Sequence, residues 1–442
     1  MMLRDYQLDI LARIFTSLAR GHHRPLVVAP CGAGKSYIFA ELARRAKGEV
    51  LVLVHRKELG QQHLELFNTL GIPARVTTYQ TEYRRLGKHP KPRLLVVDEA
   101  HLSRSQTWQK IIEYYNTYTV GFSATPARLD GKPLGDIFDD LVSGVDTRWL
   151  IEHHYLAPYE YYAPMAVDTS GLRSVGGDYV ISELEQLMHE RAIYGDIIKN
   201  YRKFANGERA IAYCVSVKHA ENVAGAFRTA GVRAEALSAK TPAKKRQHIL
   251  ESFRSGKVSV LCNCTLLSEG ISIDEVSCVM LVRPTESVAL GIQQMMRCMR
   301  YLPGKTAKII DCVGNYTRVG LPDDDREWSL DKPVQKRRLT DENGNFYIRC
   351  CPECYMTFAT APKCPFCGTE YPLHPREIAV KREIELARIT AEEVARVNDA
   401  KKSARIEQGR AQTFEELIKL GRSRGYKNPA FWASQILRGR KR

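Results

Sequence analysis

The stretch Leu26-Val27-Val28-Ala29-Pro30-Cys31-Gly32-Ala33-Gly34-Lys35-Ser36 decides how this chain is read. An apolar strand pattern, Leu26 to Ala29, runs into a loop holding two glycines, and a helical pattern follows from about Lys35 to Ala46. Strand, glycine loop and helix is the order a phosphate clamp requires. Glycines let successive backbone N–H groups turn inward around the β- and γ-phosphates, and the helix N-terminus adds partial positive charge. Pro30, Cys31, Gly32, Ala33 and Gly34 form the predicted cradle, Lys35 would meet phosphate oxygens, and the Ser36 hydroxyl would ligate Mg²⁺. Ala29 stands where such loops usually carry their first glycine. The bland alternative is a glycine-rich turn that happens to end in Lys-Ser; carboxylates further along the chain argue against it.

With 442 residues and 44% hydrophobic content, the chain can fill roughly two to four domain cores. Lys plus Arg number 66 against 50 Asp plus Glu, a formal charge of +16, which directs attention to a polyanionic partner. No stretch approaches ~18 uninterrupted apolar residues, and the opening Met1-Met2-Leu3-Arg4-Asp5 has no apolar leader. Neither a membrane partner nor export is therefore expected, and the expected compartment is the cytoplasm. Five of the 12 cysteines fall between Cys350 and Cys367, and clustered thiols without an export signal argue for metal before disulfides.

Ahead of the clamp, Leu3-Arg4-Asp5-Tyr6-Gln7 opens an amphipathic helix predicted to reach about Arg20. The Gln7 amide can donate to and accept from an adenine edge at once, with Arg4 beside it. Val50 to Val54 reads as a buried strand ending in His55-Arg56, and a second run around Val76 ends in Thr77-Thr78-Tyr79-Gln80. Cationic and hydroxyl side chains at the ends of parallel strands lie on the ligand face of an open α/β sheet, where Arg56, Thr78 and Gln80 could grip a phosphate backbone. Solvated loops are the plainer reading of each segment alone. Leu94 to Val97 then delivers Asp98-Glu99-Ala100-His101. Two carboxylates at the end of an apolar strand are costly unless a cation or a reaction uses them. Asp98 would hold Mg²⁺ through water, and Glu99 would orient and deprotonate the water that attacks the γ-phosphate. A further strand, Thr119 to Phe122, ends in Ser123-Ala124-Thr125, hydroxyls suited to linking the hydrolysis site to a neighbouring domain.

In this order and at this approximate spacing, the residues resemble the superfamily-two helicases and translocases with a DEAH-type box. The second half extends the resemblance through Ala210 to Cys214 followed by Ser216, through Val258 to Asn263 followed by Leu267-Ser268-Glu269-Gly270-Ile271, and through Gln293-Gln294-Met295-Met296-Arg297-Cys298-Met299-Arg300. The resemblance implies an α/β fold of two tandem RecA-like P-loop NTPase domains, residues 1–146 and 206–345, joined by a helical linker over 147–205. It implies ATP in the cleft, with Gln293, Arg297 and Arg300 acting on it from the second domain, the arginines as fingers. Glu269 and Gly270 would also meet the nucleotide. His101, Ser123 and Thr125 would couple hydrolysis to domain movement, and Arg56, Thr78, Gln80 and Ser216 would contact nucleic acid. Permanently charged, planar guanidinium groups suit the charge of a phosphoryl-transfer transition state. Two positions depart from the family pattern: Met296 replaces the usual Gly, and Ser272 stands where many relatives have Asp, with Asp274 two positions later.

Ile309 to Asn315 and Leu321 to Trp328 resemble the RadD-like branch found in bacteria and their phages. The acidic triplet Asp323-Asp324-Asp325, beside Pro322, reads as a solvated turn more than a metal site. Cys351-Pro-Glu-Cys354 and Cys364-Pro-Phe-Cys367 form two Cys-x-x-Cys knuckles within 350–370, four thiolates suited to a structural, tetrahedral Zn²⁺. A ligand set shifted to Cys350, or iron in place of zinc, stays open. Such a zinc ribbon could bind nucleic acid, contact a protein partner or only fold the chain's end. From Arg376, 17 Lys plus Arg face nine Asp plus Glu, so a basic helical tail is expected over 375–442. The whole is read as an ATP hydrolase that moves on or remodels nucleic acid in repair, recombination or phage replication. The branch resemblance favours DNA. The alternatives are an RNA helicase and a partner-activated ATPase that does not unwind.

Overall fold

A computed structural model describes residues 3–102, 106–126, 133–163, 174–175, 178–181, 184, 193–264 and 273–332, with short pieces at 348–350, 357–359, 387–388 and between 407 and 436. The first half is a parallel sheet of β1 (Pro25–Val28), β2 (Val50–Val54), β3 (Arg75–Thr78), β4 (Leu94–Asp98), β5 (Tyr118–Ser123) and β6 (Asp140–Ser143), in the order β3-β2-β4-β5-β1-β6. β1, β2 and β4 are buried along their whole length, as a sheet covered by helices on both faces demands, which is why these strands read as unbroken Val and Leu runs. Helices Asp5–Ala19, Lys35–Arg45, Lys57–Thr69 and Gln106–Tyr115 belong to this half.

The second half repeats the plan with β7 (Tyr159–Ala163), β8 (Ala210–Tyr213), β9 (Ala234–Ser238), β10 (Val260–Cys264), β11 (Cys278–Leu281) and β12 (Ala307–Asp311), ordered β9-β10-β8-β11-β12-β7 and parallel throughout. The two-residue strand Ala387–Arg388 adds antiparallel to the outer edge of β7. These are two tandem RecA-like α/β domains. The stretch read as a helical linker differs from that expectation: within 147–205, Tyr159–Ala163 is a strand of the second sheet, and the pair Ser174–Val175 and Asp178–Tyr179 forms a small hairpin. Tyrosine-rich Tyr159-Glu160-Tyr161-Tyr162 lacks the Val/Leu signature of a buried strand because its burial comes from tertiary partners. The Tyr161 hydroxyl donates to Asp311 Oδ2 at 2.8 Å, and the Tyr159 hydroxyl donates to Asp323.

The acidic triplet is likewise not only solvated. Asp323 takes the Tyr159 bond, and Asp324 Oδ2 accepts from the Leu321 N–H at 3.0 Å, so two of the three carboxylates pin the chain as it leaves the second domain. Ile348–Cys350 and Thr357–Ala359 form an antiparallel pair, and Leu417 of helix Phe414–Ser423 is buried with Ala433 and Ile436. Cys351, Cys354, Cys364 and Cys367 lie outside the described residues, as does most of the tail. No helix among the described residues is long and apolar enough to cross a membrane.

Candidate active site between the two domains

The phosphate loop leaves β1 between β5 and β6, with the Ala29 N–H bonded to the Ser123 carbonyl at 3.0 Å. Gly32 and Gly34 take left-handed backbone angles, φ +86° and +75°, which only glycine adopts cheaply. Both are also pressed from outside. A methyl on Gly32 would come 2.7 Å from Leu156 Cδ2, and one on Gly34 would come 2.4 Å from Gln7 Nε2. Lys35 begins its helix and points its ammonium back over the loop, donating to the Ala29 and Pro30 carbonyls at 3.2 and 3.5 Å; Ser36 follows, half-buried. That is the arrangement of a cradle whose cation is held where phosphate oxygens would arrive.

Gln7 and its neighbour clasp the same loop. The Tyr6 hydroxyl and Gln7 Nε2 both donate to the Ala33 carbonyl, at 2.9 and 3.1 Å, while Gln7 Oε1 accepts from the Arg4 N–H at 3.0 Å. The Arg4 guanidinium lies over the Tyr155 ring, 4.3 Å from its centre, and Tyr6 packs beside it, edge to face with Trp149 and tilted against Tyr155. The candidate nucleobase residues are therefore tied to the phosphate loop and to the segment that leads into the second domain.

β4 ends in the two carboxylates. Asp98 is 4% exposed, and both its oxygens are engaged: Oδ1 accepts the Glu99 N–H at 2.9 Å and Oδ2 accepts from His63 Nε2 at 2.9 Å. An ionised carboxylate can only accept, so His63 Nε2 carries the proton. Burial pushes the Asp98 carboxyl up, but the His63 bond, with the nearby Lys35 charge, outweighs it and holds Asp98 below the usual carboxylate range. Glu99 sits in the left-handed region at φ 50°, a conformation that turns its side chain out of the strand's line. Its Oε2 lies 3.5 Å from His101 Nδ1, which is 3.1 Å from Ser123 Oγ, and that hydroxyl donates to the Thr125 carbonyl at 2.6 Å. Glu99, His101, Ser123 and Thr125 thus form one connected chain of polar contacts. His63 escaped the sequence reading, because a lone His on an amphipathic helix carries no signal until β4 is placed beside it.

The second domain reaches this site through helix Val288–Met295 and the tight turn after it, which carry Gln293, Arg297 and Arg300. The charges acting on the Cys31 thiol come from both domains. Burial raises the thiol's pKa most, then Lys35 lowers it, Glu99 raises it, and Arg297 and Arg300 lower it. Arg300 also pairs with Asp274 of its own domain at 3.2 Å. Met296, in place of glycine, is buried in an apolar cluster shared by both halves, with Tyr6, Ala33, Leu156, Tyr213 and Met299. Leu156, fully buried, fills the space between the Gly32 position and this turn: Leu156 bridges to Arg300, and the Ala157 N–H donates to the Met299 carbonyl at 2.8 Å.

A magnesium nucleotide fits these residues. Thr125 Oγ1 and both amide atoms of Gln293 are buried with no hydrogen-bond partner among the described residues; Gln293 is a position expected at the nucleotide, and Thr125 one expected to couple hydrolysis to domain movement. Of the nucleic-acid candidates, Arg56 caps the helix that follows β2, and Thr78 ends β3, paired in register with Val54 at the end of β2. Thr78 caps the short helix Tyr79–Tyr83 and Gln80 lies exposed on it; Ser216 caps helix Val217–Thr229 of the second domain. Glu269 and Gly270 lie outside the described residues.

Two tandem RecA-like domains with a phosphate loop, a paired Asp-Glu at a strand end and cross-cleft arginines define a helicase-type P-loop NTPase. The profile of the helicase conserved C-terminal domain matches residues 192–302, and that of the type III restriction enzyme res subunit matches 1–80 and 72–128. A 51.5 kDa protein of a Lactococcus phage is 36% identical over 88% of this chain and 89% of its own length. The putative ATP-dependent helicase IRC3 of Saccharomyces cerevisiae is 27% identical over 71% of this chain, which spans about half (52%) of that relative. Among solved structures, a fragment of a putative HsdR subunit of a type I restriction enzyme from Vibrio vulnificus shares the fold at TM-score 0.57, with 20% identity, over 71% of this chain and 64% of the other. The chain belongs to the superfamily-two helicases and is an ATP-hydrolysing, nucleic-acid-dependent enzyme of that family.

Proposed function

We propose that the protein is an ATP-driven DNA motor that translocates on or remodels DNA in repair, recombination or phage replication, as in the RadD-like branch it resembles. The observation that carries the reading is the close packing of the phosphate loop that carries Lys35 against the turn that carries Arg297 and Arg300: a methyl on Gly32 would come 2.7 Å from Leu156, and Leu156 bridges to Arg300 of the second domain. Hydrolysis needs both sets, so it can be coupled to domain closure. Glu99 takes a proton from the water that attacks the γ-phosphorus; the bond from that phosphorus to the bridging oxygen breaks, and ADP and phosphate leave. Lys35, Arg297 and Arg300 neutralise the charge that spreads over the transferring group. Ser36 and Asp98 would hold Mg²⁺, which supplies further charge neutralisation when bound. The cationic excess of +16 suits a polyanionic track.

Only 18 residues separate Asp274 from Gln293, and they include β11 and the start of helix Val288–Met295. This interval has no room for a large strand-splitting hairpin, which favours translocation or remodelling over extensive unwinding. The test is steady-state ATPase activity without nucleic acid, then with single-stranded, duplex and forked DNA and with RNA at matched salt. Strong stimulation by DNA is expected. Stimulation by RNA alone would make this an RNA helicase, and absence of stimulation by any polymer would make it a partner-activated ATPase. Glu99→Gln is expected to bind ATP and lose turnover; full turnover would remove Glu99 from its role as base.

A further inference from the structure

Beyond the strand-end residues, one outer surface of the first domain combines cations and exposed rings. Helix Tyr79–Tyr83 carries Gln80 and ends at Arg84, whose N–H donates to the Gln80 carbonyl at 3.4 Å, so Gln80 and Arg84 are one turn apart on the same face. Tyr83, Arg84, Arg85 and Lys88 are all exposed. Helix Gln106–Tyr115 packs alongside and presents exposed Lys110 and Tyr114. The two elements touch at this surface: Lys110 Nζ lies 3.5 Å from the Tyr83 hydroxyl and 5.8 Å from its ring centre, and a methyl built on Gly87 would come 3.4 Å from the Tyr114 hydroxyl. Tyr83 and Tyr114 keep 38% and 55% of their surface in water.

The charge is lopsided. From Tyr79 to Arg93 the cations Arg84, Arg85, Lys88, Lys91 and Arg93 are all exposed, and the one acid, Glu82, is buried and bonded to Arg75 at 2.7 Å. On helix Gln106–Tyr115 the exposed acid is Glu113, beside Tyr114. Exposed tyrosines among unscreened cations offer base stacking and phosphate contact in one place.

We propose that this surface, Tyr83, Arg84, Arg85, Lys88, Lys110 and Tyr114, is a second nucleic-acid contact outside the cleft, continuing the track from Thr78 and Gln80. The proposal rests on the motor reading for its ligand, a DNA strand. The surface grips phosphates chiefly through Arg84, Arg85 and Lys88 and stacks a base on a tyrosine ring. None of these residues touches the nucleotide site, so a variant that removes them leaves basal hydrolysis intact.

The experiment measures binding of a fluorescent single-stranded oligodeoxynucleotide by the full chain across a salt series, for wild type and for Arg84→Gln/Arg85→Gln/Lys88→Gln. Each lost phosphate contact flattens log K against log salt by about 0.7 for single strands, so the triple variant should lose about 2 from the slope, with unchanged ATPase activity in the absence of DNA. Tyr114→Ala should weaken binding several-fold while leaving the slope near the wild-type value. A triple variant with wild-type slope and affinity overturns the surface and leaves the motor reading standing. A wild-type chain that does not bind the oligonucleotide overturns both. If the wild type binds DNA as above and an acidic protein partner alone loses affinity for the triple variant, the surface is a protein-docking site and the proposal is wrong.

Discussion

Removing the His63 imidazole tests the carboxylate geometry directly. Asp98 is 4% exposed, and one of its two oxygens is held by His63 Nε2 at 2.9 Å. The ring also packs edge-on against Phe39, with centres 5.3 Å apart, so its orientation is set by that contact as well as by the bond. In His63→Leu the oxygen loses its only donor from that helix while staying buried. Leaving a buried charged acceptor unsatisfied costs about 1–3 kcal/mol or more, part of which appears as lost stability. The rest appears in the reaction, because a group that orients a metal-holding carboxylate is typically worth roughly 10–100-fold in metal affinity or activity. The assay is ATPase rate against Mg²⁺ concentration at saturating ATP, with urea denaturation of the same preparations. His63→Leu should raise the half-saturating Mg²⁺ by about tenfold or more. His63→Gln, whose amide can place an N–H near the position of Nε2, should recover much of it. A His63→Leu enzyme with wild-type Mg²⁺ dependence and rate would refute the idea that this bond positions Asp98.

Gly32→Ala should weaken ATP binding at least tenfold, since it combines a left-handed φ with a 2.7 Å approach to Leu156; adding Leu156→Ala should restore part of the affinity in a double-mutant cycle by nucleotide titration. Elemental analysis of the purified chain should find one Zn²⁺ per molecule, and Cys354→Ala should release it with little change in nucleotide affinity; a metal-free wild-type chain removes the ribbon. His55 is pushed down to about 4, chiefly by burial and then by the Arg56 charge, from an ordinary value of 6.5. The unfolded chain therefore takes up this proton first, so the His55 contribution to stability is complete above pH 6.5 and is lost as pH falls towards 4. Urea denaturation at pH 7.5 and 5 should show a smaller pH difference for His55→Gln than for wild type.

Much of the fold was legible because buried parallel strands leave a plain trace. Val50 to Val54 and Leu94 to Val97 could be placed from apolar runs ending in charge, and the glycines of the phosphate loop mark a backbone that other residues resist. Tyr159–Ala163 was missed as a strand, since its half-buried Tyr159 and buried Tyr161 take their partners, Asp323 and Asp311, from some 150 residues further on. The candidate nucleotide residues could be named from their order along the chain. Their mutual support could not.

By itself the sequence singled out the candidates for phosphate contact, Lys35, Asp98 and Glu99 from their place at the ends of locally periodic elements, and Arg297 and Arg300 from the order of motifs along the chain. Only the tertiary structure decided what holds them: His63 on Asp98, Tyr6 and Gln7 on the phosphate loop, and Leu156 between that loop and Arg300. The division has a physical cause. Strand and helix periodicity is set by neighbours a few residues away, whereas a hydrogen bond or a filled cavity depends on partners that only the folded sheet order brings within reach.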